Sequence, residues 1–337
     1  MEMFERELCR FLKVKYCVCV NSGTSGLMLV MRALSLKGEV IVPSFTFSGT
    51  VHALTWNNLK PAFVDIDPHQ LNATPTEVQR AITGKTSAIL AVHLFGNPCD
   101  IRGYERLAKK YGLKLIFDSA HAFGSQYRGK NIGRFGDAEV FSFHSSKILP
   151  AIEGGAVVTN NKDLYQKLRL LRNQGNRGDG NCLLVGLNAK MHPVSAACGL
   201  LYMRTIFKEL KRRRKLGQYY FCRLSKIPGL RFQKINRNVT FNYQYIPIIL
   251  SSEIFGLSRD VLASRLLQYD INTRKYFCPP IHRFHCYRHL PRNCALPQTE
   301  AIAKNILCLP FPPGLTGLDI ERVCDTIQNL HNRCRPA

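Results

Sequence analysis

The chain has 337 residues, 45% hydrophobic and 21% charged. These are ordinary globular fractions, which exclude wholesale disorder and collagen-like or low-complexity structure. Lysine and arginine number 47 against 23 acidic residues, a formal +24, and that excess raises nucleic acid or another anionic partner.

No apolar run approaches the ~20 residues of a membrane helix. The start MEMFERELCRF carries charges where a secretory signal needs an apolar core. A cytoplasmic protein is expected, with no membrane partner. The 13 cysteines are scattered and include no CxxC pair. They read as reduced thiols, mostly in the core, and no metal site is expected.

Tyr16–Val20 (YCVCV) is strand-like and runs into Asn21-Ser22-Gly23-Thr24-Ser25-Gly26, after which Leu27–Leu34 has helical period. Strand signals recur at Glu39–Val42, Pro61–Asp65 and Ser87–His93. A helix follows at Ile101–Tyr111, then strands at Lys114–Asp118, Glu139–Phe143 and Gly155–Thr159. Continuous apolar strands alternating with helices predict a mainly parallel sheet with helices on both faces. Val194–Leu216 reads as one long helix ending in the basic run Lys211–Lys215, taken as a solvated face. Beyond it the pattern changes to a strand at Val239–Leu250, a helix at Arg259–Tyr269 and a terminal helix at Thr316–His331. At roughly 100–200 residues per domain the length suggests two domains. The texture predicts an α/β domain over 1–210 and a smaller α+β domain over 211–337.

In an open α/β sheet, ligands bind beyond the carboxyl ends of the strands. Three segments put polar groups there. Ser22–Gly26 between strand and helix offers close backbone approach and free N–H groups, a phosphate cradle, although the same residues also serve as an ordinary helix cap. Asp118 closes a fully apolar strand, where a carboxylate either needs a cationic partner or caps the next turn. Lys147 lies just past another strand, in a segment poor in charge. There it is either a surface lysine or a desolvated amine with a lowered pKa, suited to nucleophilic work. Together the cradle, the acid and the lysine make up the parts list for pyridoxal phosphate (PLP): the lysine for the Schiff base, the acid for the pyridinium nitrogen.

The order and wording of these segments resemble the DegT/DnrJ/EryC1/StrS family of sugar aminotransferases. The matching phrases are NSGTSGL (Asn21–Leu27), VPSFTF (Val42–Phe47), FVDID (Phe63–Asp67) and VHLFGNPCD (Val92–Asp100). FDSAHAFGS (Phe117–Ser125), FSFHSSK (Phe141–Lys147), EGGAVVTN (Glu153–Asn160), GLNAKM (Gly186–Met191) and LPQTE (Leu296–Glu300) complete the series. The resemblance implies a fold type I PLP-dependent transferase with a mainly parallel central sheet sandwiched by helices. It implies Lys147 as the PLP-bearing lysine and Asp118 as the acid on the ring nitrogen. His121 would contact the ring or its phenolic oxygen. Gly23, Thr24, Ser25 and Ser142 would cradle the phosphate, and Phe47 (or Phe45) would cover the ring. Asn188 would reach the cofactor of a neighbouring subunit, which requires a homodimer with shared active sites.

The implied reaction is ping-pong transamination, with pyridoxamine phosphate (PMP) as its intermediate form. L-Glutamate donates the amine, and a keto-deoxysugar on a nucleoside diphosphate, dTDP above all, receives it. Two rivals remain at this level. Family members that only dehydrate carry histidine at the lysine position, and a regulatory or nucleic-acid-binding protein could reuse the fold. The intact Lys147 and Asp118 favour catalysis, and aromatic residues are not interleaved with the basic run as a nucleic-acid platform needs. Asn272–Phe277 (NTRKYF) resembles a phrase that shapes the sugar pocket. Many relatives read HATK where this chain has His144-Ser145-Ser146-Lys147, and most carry a further segment ahead of the one matching Met1–Phe11. A shortened or divergent member is therefore expected.

Overall fold

The computed structural model describes residues 1–290 and 295–334. The first part of the chain lays down α1 (Glu2–Leu12), β1 (Tyr16–Val20), α2 (Gly23–Ala33), β2 (Glu39–Pro43), α3 (Ser48–Thr55), β3 (Lys60–Val64), α4 (Pro75–Arg80), β4 (Thr86–Val92), α5 (Ile101–Tyr111) and β5 (Lys114–Asp118). A small hairpin follows, β6 (Gln126–Tyr127) and β7 (Lys130–Asn131). Next come β8 (Ala138–Ser142), β9 (Gly155–Thr159), α6 (Lys162–Arg172) and α7 (Pro193–Met203).

One seven-stranded sheet has the order β1-β9-β8-β5-β4-β2-β3. Within it β3, β2, β4, β5 and β8 are mutually parallel, and β9 alone runs against its neighbours. Side chains along each strand alternate between two cores. In β5, Leu115 and Phe117 enter one and Ile116 the other. Both faces are covered, so the strands read as unbroken apolar runs. The expected mainly parallel sheet between helices is present.

The rest of the chain builds α8 (Ile206–Leu224), β10 (Leu230–Phe232), β11 (Val239–Thr240), β12 (Ile246–Leu250), α9 (Ser252–Phe255), α10 (Arg259–Leu267), α11 (Pro297–Asn305), β13 (Ile306–Leu309) and α12 (Gly317–Arg333). An antiparallel sheet β10-β12-β13 packs under α8, α10 and α12, with Tyr220, Ile248, Leu262 and Ile327 at the centre of its own core. β11 instead pairs with β6.

Several expectations need correction. The stretch read as one strand over Val239–Leu250 is two strands, because residues 241–245 leave the ladder. The long helix is two helices, α7 and α8, broken at Arg204–Thr205. Of the twelve described cysteines, all free, only Cys17, Cys19, Cys99, Cys308 and Cys324 are buried, so fewer than expected serve the core.

The basic run is not simply a solvated face. Lys211 and Lys215 are exposed, but Arg213 is 1% exposed. It donates from Nε to Glu209 at 2.8 Å and from its terminal nitrogens to the carbonyls of Tyr243 (3.1 Å) and Phe311 (3.3 Å). Arg212 shares Glu209 and reaches the Leu315 carbonyl at 2.7 Å. The guanidinium groups thus staple α8 to residues 243 and 311–315. Breaking a buried charge pair costs about 3–5 kcal/mol. Glu209 keeps Arg212, so Arg213→Ala is expected to lose about 3 kcal/mol of unfolding free energy in urea titration. A loss under about 1 kcal/mol would show that the staple carries little.

Candidate active site

The carboxyl ends of β1, β5 and β8, with the loop that leads into β9, converge on one cavity of about 240 Å³. All these ends point the same way because only β9 is reversed.

Ser22 caps α2, its hydroxyl accepting from the Ser25 amide at 3.1 Å. Gly23 and Thr24 in the first turn line the cavity, as does Ser142 at the end of β8. First-turn amides have no intrahelical partner, so they are available to an anion. The approach is tight. A Cβ on Gly23 would lie 3.2 Å from that of Ser142, and one on Gly49 would lie 2.5 Å from Thr24 Oγ1. Ser25 is placed differently from Thr24. Its hydroxyl bonds Asn21 and Ser22 within the cap, and it does not line the cavity.

Asp118, the last residue of β5, is 7% exposed. Its Oδ2 accepts from Thr50 Oγ1 at 2.7 Å and its Oδ1 from the Ala120 amide at 3.1 Å. Thr50 gives its proton to the carboxylate, so it accepts in turn from Thr46 Oγ1, 3.0 Å away. Burial pushes Asp118 up from the ordinary carboxylate range, while the Thr50 hydroxyl, the Ala120 amide and the charge of Lys147 pull it back.

His121 is buried and held well below its usual pKa by burial and then by the charge of Lys147, so the ring is neutral. Its Nδ1 accepts from the Phe95 amide at 3.2 Å, which leaves the proton on Nε2 as a donor. The ring lies parallel to those of Phe95 and Phe277.

Lys147 follows β8 on the loop before β9. Burial lowers its pKa to about 8, against the opposing pull of Asp118. Its Nζ lies 3.5 Å from the Tyr245 hydroxyl.

Phe47, 56% exposed, lines the cavity, whereas Phe45 is buried in a separate cluster behind it. Asn188 does not line this chain's cavity. It is exposed and bridges to Asn173. Of the NTRKYF phrase, only Tyr276 and Phe277 reach the cavity. Tyr245, Thr46 and Thr50 also line it and were not singled out from sequence. The two threonines were legible at i, i+4 spacing in SFTFSGT. Tyr245 comes from a distant irregular segment with no motif of its own.

A seven-stranded mainly parallel sheet with a carboxylate at one strand end, a lysine after the next and a helix start beside them is the framework of a fold type I PLP-dependent transferase. The DegT/DnrJ/EryC1/StrS aminotransferase family model matches residues 1–328, and the chain belongs to that family. It is similar to a dTDP-4-amino-4,6-dideoxy-D-glucose transaminase of Shigella dysenteriae, 39% identical over 98% of this chain and 89% of the relative. A GDP-perosamine synthase of Vibrio cholerae is 34% identical over 98% of this chain and 91% of its own. The crystal structure of DesI, determined with its TDP-sugar product, superposes with a TM-score of 0.93 at 38% identity, covering 98% of this chain and 84% of that one.

Among the described residues, no helix is long and apolar enough to cross a membrane, and no cluster of potential metal ligands is present.

Proposed function

We propose that the chain moves the amino group of L-glutamate to a keto-deoxysugar carried on a nucleoside diphosphate, with PLP as cofactor and dTDP as the carrier. The convergence of Lys147 and Asp118 with the small-residue cradle on one cavity carries this reading. The name of the Shigella dysenteriae relative, and of an Escherichia coli relative 35% identical over 91% of this chain, a dTDP-4-amino-4,6-dideoxy-D-glucose transaminase in both, supports amination at C4 of the sugar.

The residues present fit PLP. The cradle is so close that a Cβ would fill it, the floor holds a hydrogen-bonded carboxylate, and the lysine amine has lost part of its basicity to burial. Gly23, Thr24 and Ser142 would hold the phosphate, Asp118 the ring nitrogen and His121 Nε2–H the phenolic oxygen, with Phe47 over the ring. When bound, PLP supplies the electron sink for the charge left when a proton leaves the α-carbon of the donor. Lys147 Nζ, its basicity lowered by burial to about 8, would take that proton from Cα of the donor and carry it to the cofactor. Thr50 and the Ala120 amide keep Asp118 ionised through this cycle.

The test is an assay of the purified holoenzyme with glutamate and a panel of dTDP- and GDP-linked 3-keto and 4-keto deoxysugars, read by mass. A new amino sugar from the dTDP-4-keto substrate, with matching 2-oxoglutarate, is expected. No amino sugar from any member would sink the reading.

A second copy completes the site in this reading. Asn188 is exposed beside Leu183, Leu184, Val185 and Leu187, an apolar run that solvent leaves uncovered and a partner subunit would bury. Mixing inactive Lys147→Ala chains with inactive Asn188→Ala chains is expected to restore activity, because each heterodimer regains one site with both residues intact. Failure of subunit exchange to restore any turnover, with exchange verified by mass, would remove the shared site.

A further inference from the structure

The loop that carries Lys147 lies outside the sheet. His144, Ser145 and Ser146 are exposed, and the loop's own backbone bonds run from Phe143 to Gly154, Ala151 to Phe143 and Lys147 to His144. None of these fixes the two peptide groups on either side of the Lys147 side chain against the body of the protein. A distant residue does. Gln244 Oε1 accepts from the Ile148 amide at 3.0 Å, and Gln244 Nε2 donates to the Ser146 carbonyl at 3.1 Å. The side-chain amide thereby pairs with both backbone groups flanking Lys147, as a strand neighbour would.

Gln244 is itself held. It is 4% exposed, and its backbone amide donates to Asn242 Oδ1 at 3.0 Å. Asn242 is fully buried, and its Nδ2 donates to the carbonyls of His121 (2.7 Å) and Phe123 (3.0 Å). Asn242 and Gln244 therefore tie the His121 turn to the Lys147 loop. The next residue, Tyr245, presents its hydroxyl to Lys147 Nζ. Residues 241–245, between β11 and β12, thus pair with no strand: the side chains of Asn242, Gln244 and Tyr245 serve the two loops, and the carbonyls of Phe241 and Tyr243 accept from Arg214 and Arg213 of α8.

We propose that Gln244, set in place by Asn242, is a positioning residue for Lys147, fixing the main chain of the lysine so that Nζ stays aligned with the reacting atoms. This rests on Lys147 acting as the catalytic lysine. A misplacement of 1 Å at a reacting group costs up to about 100-fold in rate, so a clamp on both sides of the lysine matters for kcat more than for substrate affinity.

The test uses Gln244→Met, which keeps side-chain length and volume but makes neither bond, and Gln244→Glu, which keeps the acceptor for Ile148 and loses the donor to Ser146. In the full-length holoenzyme, Gln244→Met is expected to lower kcat by about 10–100-fold, with KM for glutamate and keto sugar within about threefold of wild type. The bond between Lys147 and PLP, followed by absorbance after PLP is added to cofactor-free protein, is expected to form more slowly by a similar factor. The thermal midpoint of the cofactor-free chain should stay within a few degrees, and Gln244→Glu should fall between wild type and Gln244→Met. Wild-type kcat and bond formation in Gln244→Met would overturn the proposal. So would a loss of kcat that tracks a collapse of the thermal midpoint in both variants, since that describes a structural role only. Lys147→Ala is the separating arm. If it still turns over, the assignment of Lys147 fails. If it is dead while Gln244→Met is normal, only the clamp fails.

Discussion

Lys147→Ala is expected to abolish amino transfer from glutamate to any keto sugar while leaving the fold intact. The lysine sits on a loop between β8 and β9, and its buried charged amine opposes folding, so alanine there does not weaken the fold. On the proposed mechanism, the chemistry loses its covalent anchor and its proton carrier together. Positioned proton transfer alone is worth about 10²–10⁴-fold, and an alanine supplies neither function. Single-turnover mixing with glutamate is the direct measurement, and turnover comparable to wild type would remove Lys147 from the mechanism. The lowered pKa adds a second readout with a definite sign. Burial disfavours the charged amine, so in cofactor-free protein Lys147 loses its proton near pH 8, where an ordinary lysine does so near 10.5. Acylation at Lys147 should be half-maximal near pH 8. Between these values the unfolded chain binds the extra proton, so the group opposes folding fully below pH 8 and the opposition fades as pH rises toward 10.5. The Lys147→Ala chain should lack that component of the stability profile.

What the sequence disclosed follows from where the information lies. The strand KLIFD and its neighbours were legible because a sheet covered on both faces demands unbroken apolar runs, and their carboxyl ends placed Asp118, Ser142 and Lys147 together before any coordinates. Helix α1 went unread, although Phe4, Leu8 and Leu12 form its buried stripe. Its apolar stripe is narrow, three residues at i, i+4 spacing among five charged ones, and so gives a weak periodic signal. Helix α6 is similar, with Leu164, Leu168 and Leu171 buried behind an Asn161 cap. The run Val239–Leu250 looked like one strand because alternation continues through Asn242–Tyr245, and only the fold shows that the side chains of Asn242, Gln244 and Tyr245 bond to loops 121–123 and 146–148. Arg213 is the same lesson in charge. A basic residue in a basic run reads as solvated, and burial depends on the carbonyls of Tyr243 and Phe311, distant in sequence. Residues at strand ends are written locally. Residues such as Gln244 and Tyr245 act through contacts that no local pattern encodes.

Asp118→Asn is expected to cut turnover by at least about 10²–10³-fold, from the roughly 3–5 kcal/mol lost when a buried charge pair is broken. The amide is neutral, so it cannot hold a protonated ring nitrogen. Its geometry is also wrong for its present neighbours. Both carboxylate oxygens accept, one from Thr50 Oγ1 and one from the Ala120 amide. An asparagine can satisfy one of these with its oxygen, and its NH₂ then faces the other donor. If the NH₂ faces Thr50, that hydroxyl must turn and the bond to Thr46 reorganises. If it faces Ala120, two N–H groups oppose each other in a buried site, at a cost of about 1–3 kcal/mol. Thr50→Val removes only one hydrogen bond to the carboxylate, worth about 1.5–3 kcal/mol when the acceptor is charged, so its rate should lie between wild type and Asp118→Asn. Its pH–rate profile should shift as well, because Thr50 is the strongest influence holding the carboxyl down against burial, and without it the acid limb moves to higher pH. Turnover of Asp118→Asn above about a third of wild type, or a Thr50→Val variant slower than Asp118→Asn, would remove Asp118 from this role.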